Sequence, residues 1–317
     1  MSTPLVSFII PVLNGEKFIG KCLSSIRNQH FTVAKYEIIV LDNGSTDRTC
    51  EIVESYGLSS VIVKCGNVAS LRNKGAKIAQ GQYVAFIDSD IELSSEFLSQ
   101  CVAMFGSPEV VACGCIPGIP KNATWVQQTW SIQLCGWRKN TSPVQVSWLG
   151  SAILMVRRKD FESIGGFNEN LETAEDVDLC YRLGERGKIL SNPSMRAIHW
   201  GEPPDLLTFW RKEVWRGLGN IQGIASHGFR LDELPSIGYP IYCLIIGLLL
   251  FLGGIIDFLN HEIWFFPLFM FLFMAPAFLL AGYTTFLAKD LLHLPQLFFL
   301  YLLYGCARGF AIVKSFF

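Results

Sequence analysis

In the N-terminal part of the chain, short apolar runs alternate with stretches patterned for helices. Val6-Ser-Phe-Ile-Ile-Pro-Val-Leu-Asn14, Tyr36-Glu-Ile-Ile-Val-Leu-Asp42, Ser59-Ser-Val-Ile-Val-Lys-Cys65 and Tyr83-Val-Ala-Phe-Ile87 are rich in β-branched and aromatic residues. Helical patterns run to about Asn28, over Arg48 to Tyr56 and over about Ala69 to Ala79. Such alternation predicts βαβ units and a parallel sheet. Near-continuous apolar strands such as Ser7–Ile10 and Glu37–Leu41 predict burial on both faces. Each strand ends in polar, turn-forming residues: Pro11–Asn14, Asp42–Asp47 and Asp88–Asp90. Ligands of open parallel sheets bind beyond the carboxyl ends of the strands, so the three clusters predict one site on one edge.

The pattern changes near residue 235. Ile237–Ile256 carries no charge over 20 positions, and Ile263–Ala288 none over 26. A helix needs about 20 apolar residues to cross a hydrocarbon core of about 30 Å, so both segments predict membrane spans; the alternative is a pair of buried core helices, although soluble helices rarely lack a polar stripe. Leu291–Phe317 holds His293, Pro295, Arg308 and Lys314, and reads either as a span or as an interfacial segment. Ahead of the spans, Leu207, Trp210, Val214, Leu218 and Ile221 recur at helical spacing beside Arg211, Lys212 and Arg216. That mixture predicts an amphipathic helix at the membrane interface or docked on the soluble part. The organisation expected is a soluble domain over 1–205, a juxtamembrane segment over 206–235 and a membrane domain over 236–317.

The loop Asp257–Glu262 has no Lys or Arg, whereas Arg211, Lys212, Arg216 and Arg230 precede the first span. This bias puts the N-terminal part in the cytoplasm, at a plasma or inner membrane. Met1–Phe8 lacks the apolar core of a signal peptide. A net charge of -1 offers no electrostatic hold on nucleic acid. Ten cysteines without a C-x-x-C pair read as small apolar residues of a reducing compartment.

Asp88-Ser89-Asp90 carries the sharpest chemistry. Residues two apart on an extended strand point to one side, which would crowd two like charges. A hard divalent cation, Mg2+ or Mn2+, relieves that conflict and can grip a diphosphate. The tripeptide also reads as a turn before a helix starting near Ser94. Asp42–Asp47 has Gly44 for a turn and Thr46 and Asp47 for a helix cap. Arg72 suits bidentate contact with phosphate, or is a solvated helix residue. Thr173-Ala-Glu-Asp176 has the form of a capping box, where the helix dipole would help keep Asp176 ionised. Trp125, Trp130 and Trp148 either fill core or stack on a sugar. No Walker lysine or G-x-G-x-x-G is present, so neither a P-loop nor a Rossmann site is indicated.

In combination the chain resembles the family 2 glycosyltransferases. The matching stretches, in order over about residues 5 to 220, are Val6–Asn14, Leu41–Asp47, Arg72-Asn-Lys-Gly75 with Gly81-Gln-Tyr83, and Phe86–Asp90. Gly150-Ser151 with Arg157-Arg158, Gly165-Gly-Phe-Asn-Glu169 and Glu175–Leu183 follow. The resemblance implies an α/β nucleotide-diphospho-sugar transferase fold of the GT-A type, a mostly parallel sheet with helices on both faces, followed by membrane helices. It implies nucleotide-sugar binding by Pro11, Leu13, Asn14, Asp42, Ser45, Arg72, Asp88, Ser89 and Asp90. Within that set Asp42 would contact the base and Arg72 the nucleotide, with Asp88 near the ribose or metal. Asp90 would ligate Mg2+ or Mn2+, and His199 would lie near the diphosphate as a further candidate ligand. Asn43 stands where a second acid is often found. Asp176 would be the catalytic base, with Glu175 beside it.

The activity implied is inverting, metal-dependent transfer of a sugar from a nucleotide-diphosphate donor to a lipid-linked or growing glycan acceptor, beside membrane lipid. One alternative is transfer to polyprenyl phosphate, which needs little base catalysis. Another is a non-catalytic membrane scaffold, against which the intact Asp90 and Asp176 count. A nucleotidyltransferase would need a basic triphosphate loop, and none is evident.

Overall fold

The computed structural model describes residues 3–31, 35–64, 66–134, 142–227 and 234–315; Cys65 and Arg230, both named above, lie outside them. The chain divides into two units. One is Met1–Lys121 with Trp137–Glu202, the other Asn122–Gly136 with Pro203–Phe317.

The first unit follows the alternation in the sequence. Its elements begin β1 (Val6–Val12), α1 (Ile19–Arg27), β2 (Tyr36–Asp42), α2 (Thr49–Ser55), β3 (Ser60–Ile62), α3 (Val68–Ile78) and β4 (Tyr83–Ile87). Then come β5 (Ile91–Leu93), α4 (Phe97–Met104), β6 (Val110–Gly114), β7 (Val144–Gln145) and β8 (Ile153–Arg157). The unit closes with α6 (Arg158–Ser163), α7 (Glu175–Gly184), β9 (Lys188–Ser191) and β10 (Ala197–His199); α5 belongs to the other unit. Eight strands form one sheet in the order β3-β2-β1-β4-β8-β6-β9-β7, and β10 pairs with β5 in a second, two-stranded sheet.

Strands β3, β2, β1 and β4 are parallel, in register from Val6 opposite Tyr36 to Val12 opposite Asp42. Beyond β4 the sheet is mixed: β8 runs antiparallel to both β4 and β6, β9 is parallel to β6, and β7 is antiparallel to β9. Six of the eight strands thus run one way, as expected of a mostly parallel sheet, and only β8 and β7 are reversed. Apolar composition marks a strand as buried, but its direction is set by the connections.

Alternation along β1 sends Val6, Phe8, Ile10 and Val12 into one core, with α1 and α4, and Ile9 into the other, with α3 and α7. Helices thus cover both faces of the sheet. Helix α3 is capped by Asn67, whose side chain accepts from Ser70 N–H and donates to the carbonyls of Glu169 and Leu171. One turn on, Asn73 Oδ1 accepts from Phe167 N–H at 2.9 Å, while Nδ2 donates to Phe167 O and Glu169 Oε1. Helix α3 therefore holds the Gly165–Glu169 loop from two points.

In the second unit, α5 (Trp125–Ser131), α8 (Leu206–His227), α9 (Leu234–Asn260), α10 (Phe265–Ala288) and α11 (Leu294–Lys314) are helical. By length and composition three segments could cross a membrane: Pro235–Asn260, Phe265–Ala288 and Leu291–Lys314. Asp257 accepts from the backbone N–H groups of Phe265 and Phe266, closing the turn between α9 and α10. Helix α8 buries a charge within the second unit. Leu207 is 58% exposed, whereas Phe209 and Glu213 are each 1% exposed. On that buried face Glu213 receives Arg216 and Arg308 at 2.8 and 2.9 Å. An ion pair, invisible to apolar periodicity, chose the face.

Gly166 has φ of 73°, and a Cβ there would lie 2.6 Å from Asn73 Oδ1. Gly166→Ala should destabilise the protein by about 1–2 kcal/mol from the left-handed backbone alone. It should also loosen the loop, seen as a lower unfolding midpoint and faster amide exchange at Phe167.

Candidate active site

The loops after β1 and β2 are zipped together by side chains. Asp42 accepts from Ser45 N–H at 3.2 and 3.0 Å through its two oxygens, and from the Ser45 hydroxyl. Ser45 Oγ in turn accepts from Asn14 N–H, and Asn14 Oδ1 accepts from Thr46 N–H, both at 2.8 Å. Asn14 has φ of 51°, in the region Asn tolerates better than most residues. Asp42 is 1% exposed. Its carboxylate thus faces into the turn it folds. Pro11 is buried in β1 opposite Leu41, while Leu13 stands exposed at the strand end.

The second part of the site is built around Arg72. Its Nη2 lies 2.7 Å from Asp88 Oδ1, just past the end of β4, and its Nη1 lies 2.7 Å from Glu175 Oε1, at the start of α7. The guanidinium is 3% exposed and packs 5.5 Å from the Phe167 ring centre. Arg72 was expected against a phosphate; its two ends are instead occupied by carboxylates. Glu175 also accepts from the Ser151 hydroxyl at 3.4 Å, and Asp176 accepts from the N–H groups of Ser151 and Val177. Helix α7 does not open on a capping box. Its N-cap is Ala174, with φ of 62° and no side-chain cap bond. The two acids therefore follow a strained residue.

Burial pushes the Glu175 carboxyl up to about 7, assisted by the neighbouring Asp176 and opposed by Arg72. Burial also raises Asp176, against Arg72 and its backbone donors. Burial thus acts against the ionised state that the helix dipole was expected to help keep.

The Asp88–Asp90 pair departs from its expected geometry as well. Strand β4 stops at Ile87 and the chain turns through Ser89 and Asp90, so strand alternation no longer governs the two carboxylates. Asp88 goes to Arg72, and Asp90 Oδ2 lies 3.2 Å from His199 Nε2. Pairing of β5 with β10, His199 opposite Ile91, brings that histidine into place. His199 Nδ1 lies 2.9 Å from Glu202 Oε1. Burial would lower the imidazole, but its two carboxylate partners outweigh this and hold it up at about 9. A Cβ on Gly201 would fall 1.8 Å from Asp90 Oδ2, so only glycine allows this approach. The turn also abuts the β1 loop, since a Cβ on Gly15 would sit 3.4 Å from Ser89 Oγ.

The groups present fit a divalent cation. Asp90 Oδ2 and His199 Nε2, 3.2 Å apart, are an oxygen and a nitrogen that one such ion could take, with Glu202 behind the imidazole to hold it in orientation. Among the described residues no three His, Cys, Asp or Glu side chains form a closed cage. That suits an ion which takes one or two protein groups and completes its shell with water and phosphate oxygens.

Several residues here had no predicted role. Ser151, Gly201 and Glu202 sit in loops, and Asn73 was noted only beside Arg72. Trp125 and Trp148 are each 48% exposed, while Trp130 packs against Phe209, Tyr301 and Tyr304 in the second unit.

Arg72→Met would leave the buried Glu175 and the partly exposed Asp88 without their cation, and should cost about 3 kcal/mol of stability, measured by thermal unfolding. Glu175 binds its proton more tightly folded than unfolded, because its value rises from 4.5 to about 7. That contribution is complete below pH 4.5 and is lost as pH rises through 7. Across this window the melting temperature of the wild type should fall relative to Glu175→Gln. Parallel pH profiles for the two proteins would contradict the assignment.

Residues 7–165 match Glycosyl transferase family 2. The uncharacterized glycosyltransferase EpsJ of Bacillus subtilis (strain 168) is 31% identical over 208 residues, covering 59% of this chain and 59% of that protein. The poly(ribitol-phosphate) beta-N-acetylglucosaminyltransferase TarS of Staphylococcus aureus is 36% identical over 103 residues, 31% of this chain and 18% of that protein. The chain therefore spans less than two thirds of the length of these curated relatives. Among solved structures, the mannosyltransferase PcManGT from Pyrobaculum calidifontis, in complex with GDP-Man and Mn2+, superposes with a TM-score of 0.65 at 17% identity. That match covers 100% of this chain and 88% of the other. By its sequence the chain belongs to glycosyl transferase family 2, and by its architecture it has the GT-A fold.

Proposed function

We propose that the chain is an inverting, divalent-metal-dependent glycosyltransferase, moving a sugar from a nucleotide-diphosphate donor to a lipid-linked or growing glycan acceptor at the cytoplasmic membrane face. The observation that carries this reading is the double ion pair of Arg72, which ties the Asp88–Asp90 turn to the Glu175–Asp176 pair. A donor-side cluster and an acceptor-side base then belong to one site.

In this reading the nucleoside lies on the loops after β1 and β2, over Leu13, Asn14 and the turn that Asp42 folds. A cation held by Asp90 and His199 would offset the charge that develops on the leaving diphosphate. On binding it, His199 would give up the proton at Nε2 and keep the one that faces Glu202. Asp176 takes the proton from the acceptor hydroxyl. The freed oxygen bonds to the anomeric carbon from the face opposite the diphosphate, which leaves with the electrons of the broken C–O bond. A base serves best when its pKa is near the working pH, and burial moves Asp176 in that direction.

Two adjoining acids favour a hydroxyl acceptor over a phosphate, which they would repel. Trp148, half-exposed in the loop that carries Ser151, offers a ring for the acceptor sugar. Mn2+ in the PcManGT complex supports the cation, and the poly(ribitol-phosphate) acceptor in the name of TarS supports a glycan-like acceptor. The apolar C-terminal helices support membrane anchoring, and the Arg and Lys residues before them support the cytoplasmic side.

Asp176→Asn should lower turnover by about 10²- to 10⁴-fold while donor nucleotide still binds in calorimetry. Asp90→Ala should weaken the metal-dependent part of that binding. Unchanged turnover in Asp176→Asn would sink the proposal.

A further inference from the structure

Helices α9 and α10 form an antiparallel hairpin. A Cβ on Gly253 would touch Phe265 and Phe269, one on Gly247 would reach Phe273, and the Tyr242 hydroxyl donates to Leu272 O. Helix α11 meets this hairpin in an unexpected way. The Tyr239 hydroxyl donates to Tyr301 O at 3.1 Å, and a Cβ on Gly305 would lie 2.6 Å from Cys243 Sγ. One on Gly309 would lie 3.0 Å from Leu244 and 3.3 Å from Pro240 O. On the α10 side, Phe278 meets Phe298, and Thr284 bonds to Tyr301.

Between residues 298 and 309 a helix advances about 16 Å. The contacts just named pass from α10, at Phe298 and Tyr301, to α9, at Tyr301 to Gly309, while staying at one level of the hairpin, Phe278–Thr284 and Tyr239–Leu244. A helix running along the hairpin would change partners as fast as it advances. Helix α11 therefore crosses the hairpin steeply, near the end where the chain enters α9 and leaves α10. Beyond the crossing, Leu248, Phe251, Phe258 and Phe271 are more than half exposed. From Tyr242 to Asn260 the hairpin extends about 27 Å, close to the roughly 30 Å of a hydrocarbon core.

The other side of α11 is covered by α8. Buried Glu213 accepts from Arg308 Nε, and a Cβ on Gly217 would lie 2.7 Å from Ala311 Cβ. Were α11 to cross the bilayer, α8 would take Arg211, Lys212, Glu213 and Arg216 toward hydrocarbon, where charges are strongly disfavoured. Lying in the membrane surface, the same pair keeps its charges among headgroups. The apolar side chains of Phe299 and Phe310, both about half exposed, then face the acyl boundary.

We propose that α11 is not a third crossing: with α8 it forms a surface platform for lipid headgroups at the base of a two-helix membrane hairpin. The chain then enters α9 and leaves α11 on one side of the bilayer. The inference rests on the membrane reading of the apolar helices, and one experiment separates the two. In sealed membrane vesicles bearing the full chain, epitopes are placed at Met1, after Asn260 and after Phe317, and protease is added from outside. The Met1 and Phe317 epitopes should share one fate and the Asn260 epitope the opposite one. If the Phe317 epitope instead follows the one at Asn260, α11 crosses and the proposal is overturned with the membrane reading intact. A common fate for all three overturns the membrane reading as well. Genetically encoded nitroxides at positions 299 and 310 give a second readout in lipid bilayers. They should report one depth by oxygen and nickel accessibility; a separation of about 16 Å would refute the surface orientation.

Discussion

A guanidinium buried between two carboxylates organises this molecule. Arg72 is nearly inaccessible, and a charge so placed is tolerable only when its hydrogen-bonding groups are met by opposite charge. Asp88 and Glu175 meet it from different elements, the end of β4 and the start of α7. A lysine could not serve, since a point charge on a flexible stem lacks the planar fork that addresses two partners at once. The next residue, Asn73, fixes the Gly165–Glu169 loop through both its amide atoms. Two consecutive positions of one helix thus set the three segments that border the site. The sheet supplies the rigid reference, and the helix distributes it.

The acids around this centre are separated by their partners. Asp88 and Asp90, which looked crowded on paper, each face a different cation, Arg72 and the protonated His199. Glu175 and Asp176 are crowded in fact, in a buried setting, and both are pushed toward their neutral forms. The site therefore has one end where negative charge is settled and another where burial raises the affinity of the acids for a proton. That asymmetry follows from burial and from which side of Arg72 each acid occupies.

What the sequence made legible was the part governed by repeating patterns. Strands β1, β2 and β4 could be read because each is a nearly unbroken apolar run ending in turn residues. The acid clusters could be read because they interrupt those runs. Short elements were opaque: β5 and β10 have three residues each, too few for any period, yet their pairing places His199 beside Asp90. The supposed capping box failed because Ala174 takes a left-handed conformation that no propensity rule assigns to alanine. Gly201 gave no signal, since its role depends on a contact with Asp90, more than a hundred positions away, and Glu202 acts only through the histidine so placed.

The second unit repeats the logic of the first with the signs reversed. There a buried carboxylate, Glu213, is bracketed by two arginines, as Arg72 is bracketed by two acids. Apolar helix faces alone tolerate rotation or a slide of one turn, because one leucine surface resembles the next. A carboxylate that must meet guanidinium groups from its own helix and from α11 admits one rotation and one register. This fixes which face of α8 turns toward α11. Leu207 and Trp210 belong to the more regular apolar stripe, but leaving Glu213 unpartnered in an apolar contact would be far costlier than exposing a leucine. Where a charge is buried, its partner outranks the hydrophobic pattern in deciding which face of a helix turns inward.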